Sequence, residues 1–369
     1  MTVCDIDKCA GCMLCLEVCK KEAIHIEDSM RAYNAVIDEE KCINCNACHN
    51  KCPQNISTMS IEPIKWYQGW NRNKEIHENA PSGGVGMALA LKFVEDGGYV
   101  CSCIFRNGEF VFDLTNKKEE VLNFSGSKYV KSNPIGVYKK CLDVLKNGSK
   151  VLFIGLPCQV AAIKSYAGNR YDDSLYTVDL ICHGTPSPRL LERFLNQYNK
   201  SLKHIRDIKF RLKAKMQIVV DDKGIVCKGV SDKYTIGFLN GISYTENCYE
   251  CKYAKRERIS DITIGDSWGS ALKEDNPVGG ISLMLIMTEK GKQLVEDSNI
   301  DLYDVDVQNA IKNNGQLSAP SSKPTQIKTF WEGINDAKRF NRILFSCFSA
   351  QCIKQDVKYV LIKTGLIKK

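Results

Sequence analysis

No stretch of this 369-residue chain is apolar enough for long enough to cross a bilayer. Runs such as Leu283 to Met287 fall far short of the roughly 20 residues that a spanning helix needs. No recognised nucleic-acid-binding motif accompanies the net charge of +8, so nucleic acid is not an expected partner. No G-x-G-x-x-G fingerprint is present, so nothing dictates a Rossmann domain. A signal peptide is not expected either, because Cys9 follows Met1 too closely for a cleaved leader. A cytoplasmic protein without disulfides is therefore expected. At 44% hydrophobic and 25% charged the composition is that of an ordinary globular protein.

What the chain has in excess is cysteine, 19 in all. Cys9, Cys12, Cys15 and Cys19 form one run; Cys42, Cys45, Cys48 and Cys52, followed by Pro53, form another. Each reads C-x2-C-x2-C-x3-C, the spacing of bacterial two-cluster ferredoxins, in which the fourth cysteine of each run ligates the other cluster. Cys9, Cys12, Cys15 and Cys52 are thus expected to hold one [4Fe–4S] cluster, and Cys42, Cys45, Cys48 and Cys19 a second. Zinc more often takes its ligands as two separated pairs. Lys20 stands where such ferredoxins usually carry proline. Ala23 to Ile26 and Ala35 to Ile37 read as short strands of the pseudo-symmetric module, and Cys4, outside the spacing, reads as a bystander.

The length fits two or three domains. The expected organisation is α+β: a two-cluster ferredoxin domain over 1–61, a mixed α/β domain over 62–320 and a basic helical tail over 321–369. Trp66, Tyr67 and Trp70 are expected to pack the front module onto the next domain, and residues 71–80 to form a polar linker or loop. Residues 205–240 read as a two-stranded insertion or sheet edge, with Asp222-Lys223-Gly224 turning between Ile218–Val220 and Ile225-Val226. In the tail, ten Lys/Arg face only Glu332, Asp336 and Asp356. Its apolar residues Phe340, Ile343, Leu344, Phe348 and Cys352 fit helical spacing. Packing on its own domain is the expected role; docking on a membrane face or an acidic partner is the alternative.

Three apolar runs end in polar junctions, the places where open α/β sheets hold ligands. Val151–Ile154 leads to Gly155-Leu156-Pro157-Cys158-Gln159, Leu175–Val178 to Asp179 through Cys182-His183-Gly184, and Ile262–Ile264 to Gly265-Asp266-Ser267-Trp268-Gly269. Cys248 and Cys251 lie just upstream of the third. Four thiolates at these junctions would suffice for a third cluster. Small buried cysteines, half a zinc site or a redox pair explain the same residues. Cys101, Cys103, Cys141, Cys227, Cys347 and Cys352 read as core filler.

Ser82-Gly83-Gly84 precedes a helical run, where exposed backbone N–H groups suit a pyrophosphate; an N-cap at Ser82 with glycines for close packing is the alternative. Gly126-Ser127-Lys128-Tyr129 adds a lysine and hydroxyls in a polar loop. Taken in order with the three junctions and Pro186-Ser187-Pro188, these segments resemble the coenzyme F-420 hydrogenase/dehydrogenase beta-subunit family, which includes 7-hydroxymethyl chlorophyll a reductase. The resemblance covers about residues 1 to 290; Leu156 stands where threonine is common. It implies FAD contacted by Ser82, Gly83, Gly84, Ser127 and Lys128, and a [4Fe–4S] cluster on Cys158, Cys182, Cys248 and Cys251. It also implies that His183 and Asp266 lie near the reaction centre. The function expected is that of an iron–sulfur flavoprotein oxidoreductase passing electrons between clusters and a two-electron substrate through FAD, with ferredoxin as donor. The alternatives are oxidation of a reduced deazaflavin or nicotinamide with electrons passed outward, and a non-catalytic relay subunit docking on a partner enzyme.

Overall fold

The computed structural model describes residues 1–212, 215–273 and 280–367. Its first fold unit grows from the duplicated cysteine spacing. In both runs the backbone turns left-handed on either side of the second cysteine, at Gly11 and Met13 around Cys12 and at Asn44 and Asn46 around Cys45. The same turn aims the same amide inward: Gly11 N donates to Cys9 Sγ and Asn44 N to Cys42 Sγ, both at 3.4 Å. Short helices follow, Leu14–Val18 and Ala47–Lys51, lying against each other. β1 (Ile24–Asp28) and β2 (Tyr33–Ile37) pair antiparallel from Ile24↔Ile37 to Asp28↔Tyr33, in agreement with the sequence reading.

The second unit is an eight-stranded sheet. Its centre holds β4 (Tyr99–Arg106), β6 (Val151–Ile154), β7 (Leu175–Leu180) and β11 (Ile262–Asp266), mutually parallel. β6 reads Val-Leu-Phe-Ile without alternation, as a strand covered on both faces must. Val151 and Phe153 join helices Val137–Lys146 and Pro157–Ala167 on one face, whereas Leu152 joins helices Val85–Glu95 and Glu289–Asp297 on the other. Antiparallel strands complete both sides: β5 (Glu109–Thr115) beyond β4, and β12 (Ser282–Ile286), β3 (Lys65–Asn71) and β13 (Ile300–Tyr303) beyond β11. The sheet order is β13-β3-β12-β11-β7-β6-β4-β5.

β3 corrects one expectation. Trp66, Tyr67 and Trp70 belong to a strand inside this sheet and do not pack the front module onto it; Trp70 lies over Tyr303 at 4.8 Å and stacks with His77 at 5.9 Å. Residues 71–80 are not a plain loop either. Asn73 accepts from Ile76 N and caps the helix Lys74–Asn79.

The expected hairpin is a separate three-stranded antiparallel sheet, in the order β10-β9-β8, of β8 (Ile208–Leu212), β9 (Lys215–Val220) and β10 (Lys223–Gly224). Its tight turn is at Asp221 and Asp222, both left-handed, and Ile225-Val226 lie beyond the last strand. Helices Ile327–Asn335 and Phe340–Cys347 pack on it, burying Phe330, Trp331, Phe340, Ile343 and Leu344 in one cluster with Phe194, Phe210 and Tyr234. The tail's apolar spacing is therefore explained by packing, as expected. Lys368 and Lys369 lie outside the described residues. Among those described, no helix is long and apolar enough to cross a membrane.

Candidate functional site

Parallel strands end at one edge of a sheet, and here the carboxyl ends of β6, β7 and β11 deliver the three junctions to the same edge. Cys158 sits in the first turn of helix Pro157–Ala167, set by Pro157 at its start and by Gln159, whose Oε1 accepts from Leu156 N at 2.9 Å. A helix N-terminus favours thiolate. Cys182 follows β7, held by Gly184, whose φ of 138° and contact with Tyr244 exclude a side chain: a Cβ there would meet the ring at 2.4 Å. Cys248 lies on the one-turn helix Glu246–Glu250, with Thr245 Oγ1 at 3.5 Å from its sulfur, and Cys251 caps it. Arg258 ties this loop to β7, donating to Tyr253 O (2.6 Å), Leu180 O (2.7 Å) and buried Asp179 (3.1 Å).

The outcome is that Cys158, Cys182, Cys248 and Cys251 line one cavity together with His183, Lys131, Arg258 and Tyr253. Burial is the main force raising the thiol pKa of Cys158, Cys182 and Cys251, and the neighbouring cysteines add to it. Only as thiolates would these groups repel one another, and a bound cation would then offset their charge. Among the described residues no three potential ligands converge tightly enough for a single metal ion. Four thiols lining one cavity are a donor set that would suit a [4Fe–4S] cluster.

The ferredoxin module abuts this cavity. Cys12 lies in one packed cluster with Tyr253, Cys158 and Cys251. Cys9, Cys15 and Cys52 pack together, with Cys19 and Cys48 against them. Cys4, outside the spacing, is buried in the same cluster. The junction is densely bonded: Tyr138 OH donates to Cys12 O at 2.9 Å, Glu17 accepts from Gly136 N and Lys139 N, and Arg31 and Lys323 both pair with Glu246.

Of the residues expected to contact FAD, Ser82 and Gly83 reach the end of β11 through Ser282, the partner of Asp266. Ser82 Oγ donates to Ile281 O, and Gly83 N donates to Ser282 Oγ at 3.0 Å. A Cβ on Gly83 would meet Gly69 O at 2.4 Å, so that glycine serves close packing. The N-cap of helix Val85–Glu95 is Gly84, not Ser82; it is left-handed and offers no side-chain acceptor, so the first amides of that helix are the groups that fit an anion. Lys128 donates to Phe124 O and Ser125 O, beside half-buried Ser127. Asp266, at the end of β11, pairs with Arg211 Nη1 at 2.8 Å. His183 lines the cavity, where desolvation lowers its pKa and the Asp266 charge opposes that. Arg211, on β8 and 4% exposed at its side chain, has its Nε buried without a partner and its guanidinium 5.8 Å from the Trp268 ring. Arg211, Lys131 and Arg258 carried no spacing signal, and sequence reasoning missed them.

Comparisons with known proteins give the same two parts. Residues 148–306 match the family described as the C terminus of the beta subunit of coenzyme F420 hydrogenase/dehydrogenase, and residues 8–56 match the 4Fe-4S dicluster domain. The F420-dependent formate dehydrogenase 1 subunit beta of Methanococcus maripaludis is 29% identical over 62% of this chain and 57% of its own length. The F420-dependent formate dehydrogenase subunit beta of Methanocaldococcus jannaschii is 26% identical over 72% of this chain and 65% of its own. The chain thus spans less than two thirds of either relative. A solved chain titled for the F420-reducing [NiFe] hydrogenase complex of Methanosarcina barkeri is 19% identical, with a TM-score of 0.49, over 75% of this chain and 95% of that one. Residues 148–306 thus match the C-terminal domain of the coenzyme F420 hydrogenase/dehydrogenase beta-subunit family, behind a 4Fe-4S dicluster domain at residues 8–56.

Proposed function

We propose that the chain is an iron–sulfur flavoprotein oxidoreductase that passes electrons between [4Fe–4S] clusters and a two-electron substrate through FAD. The single observation that carries this is the cavity lined by Cys158, Cys182, Cys248 and Cys251, packed against the ferredoxin ligand Cys12. Iron–sulfur clusters exchange single electrons and a flavin exchanges one or two, which is the chemistry needed between a ferredoxin module and an organic substrate.

The protein's part is to hold, shield and orient. Cys9, Cys12, Cys15 and Cys52 would hold one cluster, Cys42, Cys45, Cys48 and Cys19 a second, and the four cavity thiols a third. The first amides of helix Val85–Glu95 would take the flavin's diphosphate. Gly83 and Ser82 shape that turn, and Ser127 and Lys128 would contribute further contacts to the flavin. His183 and Asp266 would face the reacting end, with Arg211 fixing the Asp266 carboxylate. The names of the relatives favour a deazaflavin as the two-electron partner, over a nicotinamide and over reduction of an organic substrate fed by ferredoxin. Those relatives are named as subunits, which favours, as a second reading, a relay subunit working on a partner enzyme. The tail offers such a partner an outward face of Ile353, Val357 and Val360 beside Lys354 and Lys358.

Anaerobic purification with iron, sulfide and flavin counts tests the reading. About twelve irons and one FAD per chain are expected, at four irons for each of three Cys4 sets. Cys158→Ser with Cys251→Ser should lose about four irons and leave the front module loaded. An unchanged iron count in that variant, or a preparation that takes up no flavin, would refute it.

A further inference from the structure

We propose that Lys131 is a positioning residue for electron transfer, a buried positive charge set between the first ferredoxin ligand set and the cavity thiols so that it raises the reduction potential of both. The inference rests on the three-cluster reading above.

Lys131 is 5% exposed, yet among the described residues no carboxylate lies within ion-pair distance of it. Its Nζ donates to Ala10 O at 3.0 Å, lies 3.5 Å from Asn247 Oδ1 and sits 5.3 Å from the centre of the Tyr33 ring. Neutral partners of this kind do not offset the cost of burying an ammonium group. The charge it faces is sulfur. Ala10 immediately follows Cys9, and Lys131 itself lines the cavity of Cys158, Cys182, Cys248 and Cys251.

A second lysine provides an internal comparison. Lys252 follows Cys251, lines the same cavity, and donates to Ile56 O at 2.9 Å and to the carbonyl of Pro53, the residue after Cys52. The two lysines thus grip the module just behind two ligands of one set, but Lys252 is exposed where Lys131 is buried. Water screens an exposed charge and leaves a buried one effective. One-electron reduction on either side adds one negative charge, with no bond made or broken, and Lys131 stabilises that charge.

The test uses full-length protein purified anaerobically, iron counts, and redox titration followed by electron paramagnetic resonance. Lys131→Gln keeps a donor for the Ala10 carbonyl and removes the charge; Lys131→Met removes both. Either should lower the midpoints of two clusters and leave the outer one, on Cys42, Cys45, Cys48 and Cys19, in place. At a fixed potential the ratio of reduced to oxidised should fall about tenfold for a unit charge at this kind of separation. Lys131→Arg should restore it, and Lys252→Gln should shift the midpoints less. Full iron content with unmoved midpoints overturns the inference, as does an equal shift of all three clusters. Wild-type protein with only about eight irons would instead sink the three-cluster reading, at four irons per cluster. The Cys9 set alone would then decide the role of Lys131, by shifting or by staying.

Discussion

The buried hydroxyl of Tyr138 donates to the carbonyl of Cys12 at 2.9 Å, so a side chain of the large sheet's helical layer fixes the backbone of a ferredoxin ligand loop. Replacing Tyr138 by Phe leaves that carbonyl buried without its donor. Stability should fall by about 1–3 kcal/mol, read as a lower thermal midpoint, with iron content retained. An unchanged midpoint would mean that the hydrogen bond does not hold the junction.

Gly184 is the tightest point beneath Cys182. Gly184→Ala must push against the Tyr244 ring in a backbone conformation that side chains rarely adopt. A loss of about 2 kcal/mol or more is expected by denaturant titration, together with weaker iron retention at the cavity. Equal stability of the two proteins would contradict the packing described.

Asp266 and Arg211 form an enclosed ion pair near the proposed reaction centre. Asp266→Asn should cost about 3 kcal/mol, because it strands a buried guanidinium. The double variant Asp266→Asn with Arg211→Met should recover part of that loss. If the double variant is weaker than the single one by the full cost of another lost residue, the two side chains do not act as a pair.

Glu246 joins the module to the tail through Arg31 and Lys323. Burial raises its pKa, but the two cations outweigh that and hold it below the usual carboxylate range. A depressed carboxylate pKa stabilises the fold above the unfolded value near about 4.3 and loses that contribution as pH falls through the folded one. Wild-type stability should therefore drop below about pH 4 more steeply than that of Glu246→Gln. Because both cations are substantially exposed, the difference should be small, about 1 kcal/mol or less. Parallel pH curves would rule out the linkage.

The ferredoxin module was legible because its information is local: eight cysteines, two identical spacings, two matching turns. The sheet junctions were legible as polar stops after apolar runs. β3 was not, because its strand character comes from β12 and β13, far along the chain, and its aromatics look alike at an interface or in a sheet. Helix Lys74–Asn79 hid behind polar residues, with only the Asn73 cap to mark it. The third thiol set was assembled from three separate junctions, and only the fold brings it to one cavity. Lys131 and Arg211 are single basic residues without a repeat or spacing: Lys131 is marked only by burial without a carboxylate partner among the described residues, and Arg211 only by its pairing with Asp266.

The placement of β3 also orders events during synthesis. The strand directly follows the cysteine-rich module, yet it closes against Ser282 and Ile300, near the other end of the chain. At a translation rate of about 5–20 residues per second, the ribosome takes roughly ten to forty seconds to deliver those partners. During that interval the N-terminal module can emerge and receive iron and sulfide while the sheet beside it is still open.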